Sequence, residues 1–374
     1  MFLFLLLSLL SGVLEIGVIL RVYATGKPMW EILLMGSMYQ LGNLLFFPGK
    51  IKWYLLQALG ILNVCLGLVN LYWDNSVILA LQVVLSSLGI QAARAWQKGS
   101  CPTWLKRMFR IGGFLLAPLM TIIPREMMLL CAILPLGAVM GSREGRDVAE
   151  EAILGKTISQ EGVSRETIPG ETASRETTPG EAISRRATTG KGVSVTMIFH
   201  QMHYFVYTYS MLLAVLGLTH NPYLGAALYA LTWVVYLLPG LAADKKKEYN
   251  PRILFLIGHL LLAVVMGGLT AAFLTGNLTM GFWAWMLTGL GGGSVFCIGR
   301  LTEKDRTCNM TLSENIGHFA GALVPVLVSL AAGPKMYALL TALSGLFVCM
   351  ALTSAVVGIR QEERRRMKDG QEGQ

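Results

Sequence analysis

The chain has 374 residues, of which 54% are hydrophobic and only 14% charged, and its formal net charge is +9. A soluble domain could not keep so much apolar surface in water, so the composition predicts a polytopic membrane protein. Its basic residues lie in short segments between apolar runs rather than on one face, which argues against nucleic acid as a partner. Because backbone polar groups find no partners in lipid, and the apolar runs are longer than barrel strands, we expect α-helical spans.

Twelve spans are predicted. The first run, MFLFLLLSLLSGVLEIGVIL, has no basic segment before it and no cleavage site after it, so we interpret it as a span rather than a signal peptide. A span needs about twenty mostly apolar residues, and that rule places the segments at 2–24, 29–48, 53–73, 76–97, 108–123, 126–141, 195–218, 222–243, 253–275, 278–299, 315–333 and 336–359.

The positions of Lys and Arg predict a multi-pass protein of the cytoplasmic (plasma) membrane with both termini in the cytoplasm. Of the 31 basic residues, all except Arg21, Lys27, Arg125 and Lys335 fall in loops that this topology makes cytoplasmic. Basic loops on both sides of 111–141 require an even number of crossings there. The two short runs are therefore predicted to form a hairpin of two helices.

A polar segment separates the sixth span from the seventh. Residues 161–190 read EGVSRETIPGETASRETTPGEAISRRATTG, three units of ten residues whose composition cannot build a core. It predicts a disordered cytoplasmic linker at 142–194 between an N-terminal six-helix half at 1–141 and a C-terminal half at 195–359. A basic cytoplasmic tail is expected at 360–374.

Two loop sequences occur at equivalent places in the two halves. GNLLFFPGK contains Gly42, Gly49 and Lys50, and GLAADKKKEYNPR contains Gly240, Asp244 and Lys245. With the plan of six spans plus six, these loops resemble the signature loop of the major facilitator superfamily of secondary transporters, although Phe46 stands where that family has an Asp. The resemblance implies two halves of inverted three-helix repeats, a loop that joins the halves on the cytoplasmic side, and a seventh span that lines a central cavity.

A second resemblance concerns direction. The fifth span contains GGFLLAP, which is similar to a Gly-Pro motif of the family's exporters with Ala117 in place of the second glycine. It suggests export. GLGGGS at 289–294 lies inside a span without the Lys-Ser/Thr of a nucleotide-binding loop, so we interpret it as a close-packed helix.

The strongest candidate site is FHQMHYFVYTY in the seventh span. His200, His203, Tyr204 and Tyr207 have i, i+3, i+4, i+7 spacing and share one helix face. Polar groups at membrane depth usually face a bundle interior or a wet cavity, so this stripe is predicted to face the solute. The alternative is an aromatic anchor at the membrane interface.

Three further groups of polar residues are candidates. Glu15 is predicted to contact the solute in the cavity and to carry a proton or bind a cation, the alternative being a neutral carboxyl bonded to a neighbouring helix. Tyr39, Gln40 and Asn43 are secondary candidates for the cavity, or else join helices by hydrogen bonds. Glu314 and His318, at i, i+4 spacing, are candidates for a gate or proton relay together with Glu15 and His203, although Glu314 also suits the start of a helix.

These features predict an all-α secondary transporter that moves a small organic solute by alternating access, coupled to protons, in a lipid bilayer. No cofactor and no metal are expected, since the six cysteines have no paired spacing and no nucleotide or hydrolase motif occurs. Two alternatives remain open: a membrane-embedded enzyme that uses His200 or His203 as a base or metal ligand, and a transporter-like sensor or scaffold.

Overall fold

The computed structural model describes residues 1–46, 53–73, 75–96, 103–141, 191–245, 251–302 and 308–372, and within them it contains helices and no strands. The helices are α1 (Phe2–Ala24), α2 (Met29–Leu45), α3 (Trp53–Tyr72), α4 (Ser76–Trp96), α5 (Thr103–Leu116), the single turn α6 (Leu119–Ile122), α7 (Pro124–Gly141), α8 (Lys191–Thr219), α9 (Pro222–Lys245), α10 (Pro251–Thr275), α11 (Leu278–Thr302), α12 (Cys308–Ser329) and α13 (Met336–Glu372).

The predicted all-α plan of twelve spans in two halves is confirmed. Eight of the described helices are long and apolar enough to cross a membrane by length and composition. The fifth and sixth predicted spans form the predicted hairpin, with α5 and α6 separated from α7 at Ile123. Pro118 stands between α5 and α6 and interrupts the helix there, as expected for a residue without a backbone N–H.

Several helix boundaries differ from the sequence-based ones. Helix α5 begins at Thr103 rather than at 108, and α12 begins at Cys308 rather than at 315. Helix α8 already begins at Lys191, inside the segment predicted as linker, and α13 continues through the predicted tail to Glu372. The ten-residue repeats at 161–190 lie outside the described residues.

The two halves pack through a symmetric set of contacts. Within the first half α1 packs on α5 and α2 on α4, and at the equivalent places of the second half α8 packs on α12 and α9 on α11. Helix α2 contacts α12, and α5 contacts α9, so each half supplies two helices to the interface. This arrangement leaves α1 and α8 facing the centre of the bundle.

Glycines allow several helix pairs to approach until their backbones touch. A Cβ at Gly113 of α5 would lie 2.0 Å from the carbonyl oxygen of Leu9, and one at Gly12 of α1 would lie 2.2 Å from that of Arg110. In the GLGGGS stretch, a Cβ at Gly293 would lie 2.3 Å from the carbonyl oxygen of Tyr236 in α9. Such contacts are typical of small residues at membrane helix interfaces, as predicted for this stretch.

Candidate functional site

A cavity of about 390 Å³ lies between the two halves. The first half supplies Phe4, Arg94, Lys106, Arg107 and Arg110 to its lining. The second half supplies His200, Gln201, His203, Tyr204, Phe205, Tyr207, Thr232, Trp233, Tyr236, Leu262, Thr288, Gly289, Gly292, Glu314 and His318. The volume and the mixture of aromatic walls with a few polar groups are typical of small-molecule sites.

The cavity lies toward the end of the bundle at which α1 begins. Phe4 is in the first turn of α1, and Lys106 is near the start of α5, which also begins at this end. Arg94 is in the last turn of α4, which runs the opposite way and ends there. The lining therefore extends from one membrane face toward the middle of the bundle.

The opposite end of the bundle is closed by a contact between α1 and α8. The hydroxyl of Tyr23 donates a hydrogen bond to the carbonyl oxygen of Leu216 at 2.9 Å, and it lies 3.3 Å from Nδ1 of His220. His220 follows the end of α8 with a φ of 51°, the left-handed conformation that commonly terminates helices. The two halves thus meet at the end remote from the cavity.

The stripe predicted in the seventh span lies on the cavity. His200, His203, Tyr204 and Tyr207 all belong to its lining, which the 3.6-residue period of α8 places on one face. His203 Nδ1 lies 2.7 Å from the hydroxyl of Ser344 in α13, and its ring stacks on that of Tyr207 with centroids 5.1 Å apart. Both histidines of the stripe are buried inside the bundle. The structure therefore favours a cavity position over the interfacial anchor.

Glu15 lies outside the cavity lining, which corrects its assignment as a solute contact, and the proton or cation role predicted for it stays a prediction. It is fully buried and forms an ion pair with Arg110, whose Nε donates to Oε2 at 3.1 Å and whose Nη2 donates to the same oxygen. The hydroxyl of Tyr229, in α9 of the other half, donates to Oε1 at 3.2 Å. Glu15 reaches the cavity only through Arg110, which lines it.

The close approach of α1 and α5 explains this ion pair. Gly12 and Gly113 remove the side chains that would hold the two backbones apart. Glu15 lies one turn after Gly12, and Arg110 lies one turn before Gly113 on a helix that runs in the same direction, so the long Arg110 side chain must span the contact to reach the carboxylate. The Arg110 guanidinium is also 5.0 Å from the ring centroid of Trp233, a cation–π contact to α9.

Tyr39, Gln40 and Asn43 do not line the cavity, which corrects their assignment as solute contacts. The Tyr39 hydroxyl lies 2.7 Å from that of Ser11, and Gln40 Nε2 donates to the Tyr209 hydroxyl at 2.8 Å. Asn43 donates to Oε1 of Gln40 at 3.0 Å, and its own side-chain oxygen accepts from α4. The polar side chains of this part of α2 therefore form hydrogen bonds between helices, which was the alternative to solute binding.

Three hydrogen bonds of α2 cross between the halves, and we call them the α2 bridge. The hydroxyl of Ser37 donates to the carbonyl oxygen of Ala322 at 2.8 Å, and Gln40 donates to Tyr209. At the end of α2 nearest the cavity opening, Asn315 Nδ2 donates to the carbonyl oxygen of Asn43 at 3.1 Å. All three are bonds between uncharged groups.

The second predicted pair, Glu314 and His318, lies on α12 and faces the same cavity. Both side chains belong to its lining, and Glu314 is buried. The His318 ring packs edge-on against Phe205 of α8, with centroids 4.7 Å apart. The gate or relay role predicted for the pair stays a prediction.

The two loop motifs are only partly described. Gly42 lies within α2, where a Cβ would be 2.4 Å from the carbonyl oxygen of Val84 in α4, so it serves close packing. Gly49 and Lys50 lie outside the described residues. Gly240 is buried, and Asp244 and Lys245 end α9 with side chains that are outside the description. The charge pairing implied by the family resemblance stays a prediction.

Sequence reasoning missed the basic part of the lining. We define the basic wall as Arg94, Lys106, Arg107 and Arg110, all of which had been assigned to a cytoplasmic loop. The missed signal was the spacing of residues 106, 107 and 110, which places three cations on one helix face between Trp104, Leu105, Met108 and Phe109.

The described residues contain no group of three or more His, Cys, Asp or Glu side chains that could hold a metal ion. His259 packs near His200, with ring centroids 5.0 Å apart, and its Nδ1 donates to the carbonyl oxygen of Phe255 at 2.9 Å. His259 does not line the cavity.

Comparison with known proteins places this fold among membrane transporters. No family model and no curated protein sequence matches the chain. Among solved structures, it resembles a bacterial homologue of the iron transporter ferroportin in its inward-facing state, with a TM-score of 0.59 at 14% identity over 96% of this chain and 98% of that one. A POT family transporter in complex with a thioalcohol-conjugated peptide gives a TM-score of 0.60 at 12% identity, covering 95% and 96% of the two chains.

The nucleoside transporter NupG is also similar, with a TM-score of 0.53 at 10% identity over 95% of this chain and 99% of that one. At these identities the likeness concerns the fold. The chain is a multi-pass helical protein with the architecture of these transporters.

Proposed function

We propose that the protein is a secondary transporter of the major facilitator type that moves a small organic solute by alternating access. The observation that carries the proposal is the cavity between the halves, which both halves line and which the Tyr23 contact closes at one end. Rocking of the halves about such a site would expose it to each side of the membrane in turn. His203, Tyr204 and Tyr207 are then the solute contacts on the second half.

Proton coupling is the second part of the proposal. Glu15 holds Arg110 of its own half and Tyr229 of the other half through the same carboxylate. Protonation of that carboxylate would remove the ion pair and weaken the bond across the interface. The charge of Glu15 and the relative position of the halves would then be linked, which is what coupling requires.

The topology and direction are also proposals. If the protein lies in the plasma membrane with both termini in the cytoplasm, the cavity faces the cytoplasm and the Tyr23 contact lies on the extracellular side. Export rests on the similarity of GGFLLAP to an exporter motif, whose glycines at 112 and 113 lie in α5. Glu314 and His318 at the cavity are proposed as a gate.

The two alternative functions make different predictions. An enzyme using His200 or His203 with a metal would purify with stoichiometric metal, which elemental analysis would reveal. A sensor or scaffold would carry no flux. The transporter is favoured because the fold is shared with membrane transporters and the stripe lies on the cavity.

The test is a transport assay that does not assume the identity of the solute. Proteoliposomes are exposed to a mixture of common metabolites under a pH gradient, and mass spectrometry measures what enters. We expect at least one solute to be enriched over protein-free liposomes, with enrichment reduced in His203→Ala and Tyr207→Phe. The matched control is Tyr72→Phe, at a side chain that is 90% exposed. The proposal would be overturned if no solute were enriched, or if both cavity variants enriched the solute as much as the parent protein does.

A further inference from the structure

Among the residues that the structure describes, the cavity lining has more cationic than acidic side chains. Of the described side chains that line the cavity, four are cationic and one, Glu314, is acidic. Glu15 neutralises Arg110. Among the residues that the structure describes, Arg94 and Lys106 form no ion pair. Cations without a counter-charge that line a cavity between membrane helices favour the binding of an opposite charge there.

Aromatic rings contact three cations of the basic wall. The guanidinium of Arg94 lies 5.5 Å from the ring centroid of Phe4, and the ammonium of Lys106 lies 4.7 Å from the same centroid. Arg107 similarly lies 5.6 Å from the ring centroid of Tyr236. A cation–π contact orients a cation but accepts no hydrogen bond in the plane of the guanidinium.

Three buried nitrogen atoms of the lining residues have no hydrogen-bond partner among the described residues: Nε of Arg94, Nε1 of Trp233 and Nδ1 of His200. The Arg94 and Trp233 atoms are N–H groups that can only donate. Buried donors are almost always paired in folded proteins. Two unpaired donor groups that belong to one cavity lining therefore favour a ligand with hydrogen-bond acceptors. The positive charge of Arg94 and Lys106 favours an anionic acceptor.

We propose that the solute is an organic anion, whose carboxylate or phosphate oxygens bind at Arg94 and Lys106 and whose apolar body lies against the aromatic side chains of Tyr204, Tyr207 and Trp233. Guanidinium and carboxylate or phosphate groups match in geometry as well as charge. This inference rests on the proposed transport function, which makes the cavity the place where the solute binds. What it adds is the chemical class of that solute.

The experiment compares matched acids and amides on the purified full-length protein in an uncharged maltoside detergent at constant ionic strength. The probes are benzoate with benzamide, indole-3-acetate with indole-3-acetamide, and phenylphosphonate, with benzylamine as the cation. We expect at least one of the anions to raise the thermal unfolding midpoint by about 2 °C or more where its amide or the amine does not.

The variant Arg94→Gln should weaken binding of that anion by roughly tenfold or more, the loss expected for a hydrogen bond between charged groups. Arg94→Lys keeps the charge and should recover part of the affinity, which separates binding from misfolding. Arg125→Gln is the matched control, since Arg125 bonds to the carbonyl oxygen of Leu71 away from the cavity. The inference fails if no anion shifts the midpoint, if amides or benzylamine shift it equally, or if Arg94→Gln binds as tightly as the parent.

Failure of this inference is distinct from failure of the transport proposal. If the metabolite mixture shows enrichment of a neutral or cationic solute, transport stands and the anionic class is overturned. If anions bind through Arg94 but no solute is enriched, the site assignment stands and transport is overturned.

Discussion

Arg110 and Glu15 form an ion pair between α5 and α1 in which a single carboxylate oxygen accepts two N–H groups of the guanidinium. The other oxygen accepts the hydroxyl of Tyr229 from the opposite half. The carboxylate is fully buried, whereas the Arg110 side chain is 26% exposed. This difference in exposure decides what each substitution costs.

Loss of Arg110 should be more damaging than loss of the Glu15 charge. Arg110→Met leaves a buried carboxylate without its partner, which costs about 3–5 kcal/mol in buried ion pairs. Glu15→Gln leaves a cation that the cavity partly solvates, so its free energy cost is smaller. The double variant should be more stable than Arg110→Met alone. The free energies of unfolding of the parent, the two single variants and the double variant can be measured in mixed detergent micelles. If the losses of the two single variants simply added in the double variant, the ion pair would be contradicted.

Glu15→Gln should also uncouple transport from the proton gradient. The amide keeps hydrogen-bonding groups at this position but cannot gain or lose the proton. We expect solute exchange across proteoliposome membranes to persist, while accumulation driven by a pH gradient falls to the level of exchange.

The matched control for that experiment is Glu31→Gln. Glu31 is also ion-paired, with Lys27 at 3.6 Å, but it lies in the first turn of α2 away from the cavity. Its variant should keep gradient-driven accumulation. Retention of such accumulation by Glu15→Gln would show that this carboxylate is not the coupling group.

Two adjacent glycines should respond oppositely to the same substitution. A Cβ at Gly113 would lie 2.0 Å from a backbone oxygen of α1, so Gly113→Ala must push the helices apart at a cost of about 1–3 kcal/mol or more. A Cβ at Gly112 would have no atom within 4 Å, so Gly112→Ala should be neutral or slightly stabilising. Thermal unfolding midpoints in detergent test the pair. Equal midpoints would contradict the close α1–α5 contact.

Tyr23→Phe should loosen the closed end of the bundle. It removes the hydrogen bond to the carbonyl oxygen of Leu216, worth about 1 kcal/mol, so the open population should rise roughly fivefold. Hydrogen exchange of the backbone amides at 23–27 and 216–220 should accelerate accordingly. The matched control is Tyr223→Phe at the same end, whose side chain is 54% exposed. Unchanged exchange in Tyr23→Phe would mean that other contacts close this end.

Lipid explains how much of the fold could be predicted from the sequence. Hydrocarbon accepts no unpaired backbone group, so long apolar runs must be helices and their number follows from counting. The tendency of Lys and Arg to lie in cytoplasmic loops gives the wrong position for Lys106 and Arg107, because it takes no account of the helical period of the residues around them. The two residues lie on a helix and face the cavity.

The candidate site was likewise predictable from the sequence only in part. Helical spacing alone gathers His200, His203, Tyr204 and Tyr207 on one face, and burial of polar groups predicts that this face is interior. Whether an interior polar group meets a cavity or another helix depends on the rotation and depth of the neighbouring helices. Gln40 meets Tyr209 for that reason, and no pattern within α2 specifies its partner.

The α2 bridge has a consequence for the way the halves part. Its bonds start from residues spaced three apart, so they are separated by about 4.5 Å along the helix axis. Each links uncharged groups and is worth on the order of 0.6 kcal/mol. A tilt of α2 would break them one after another, beginning with the bond of Asn315 to Asn43. The cavity between the halves would then widen in steps, rather than in a single event.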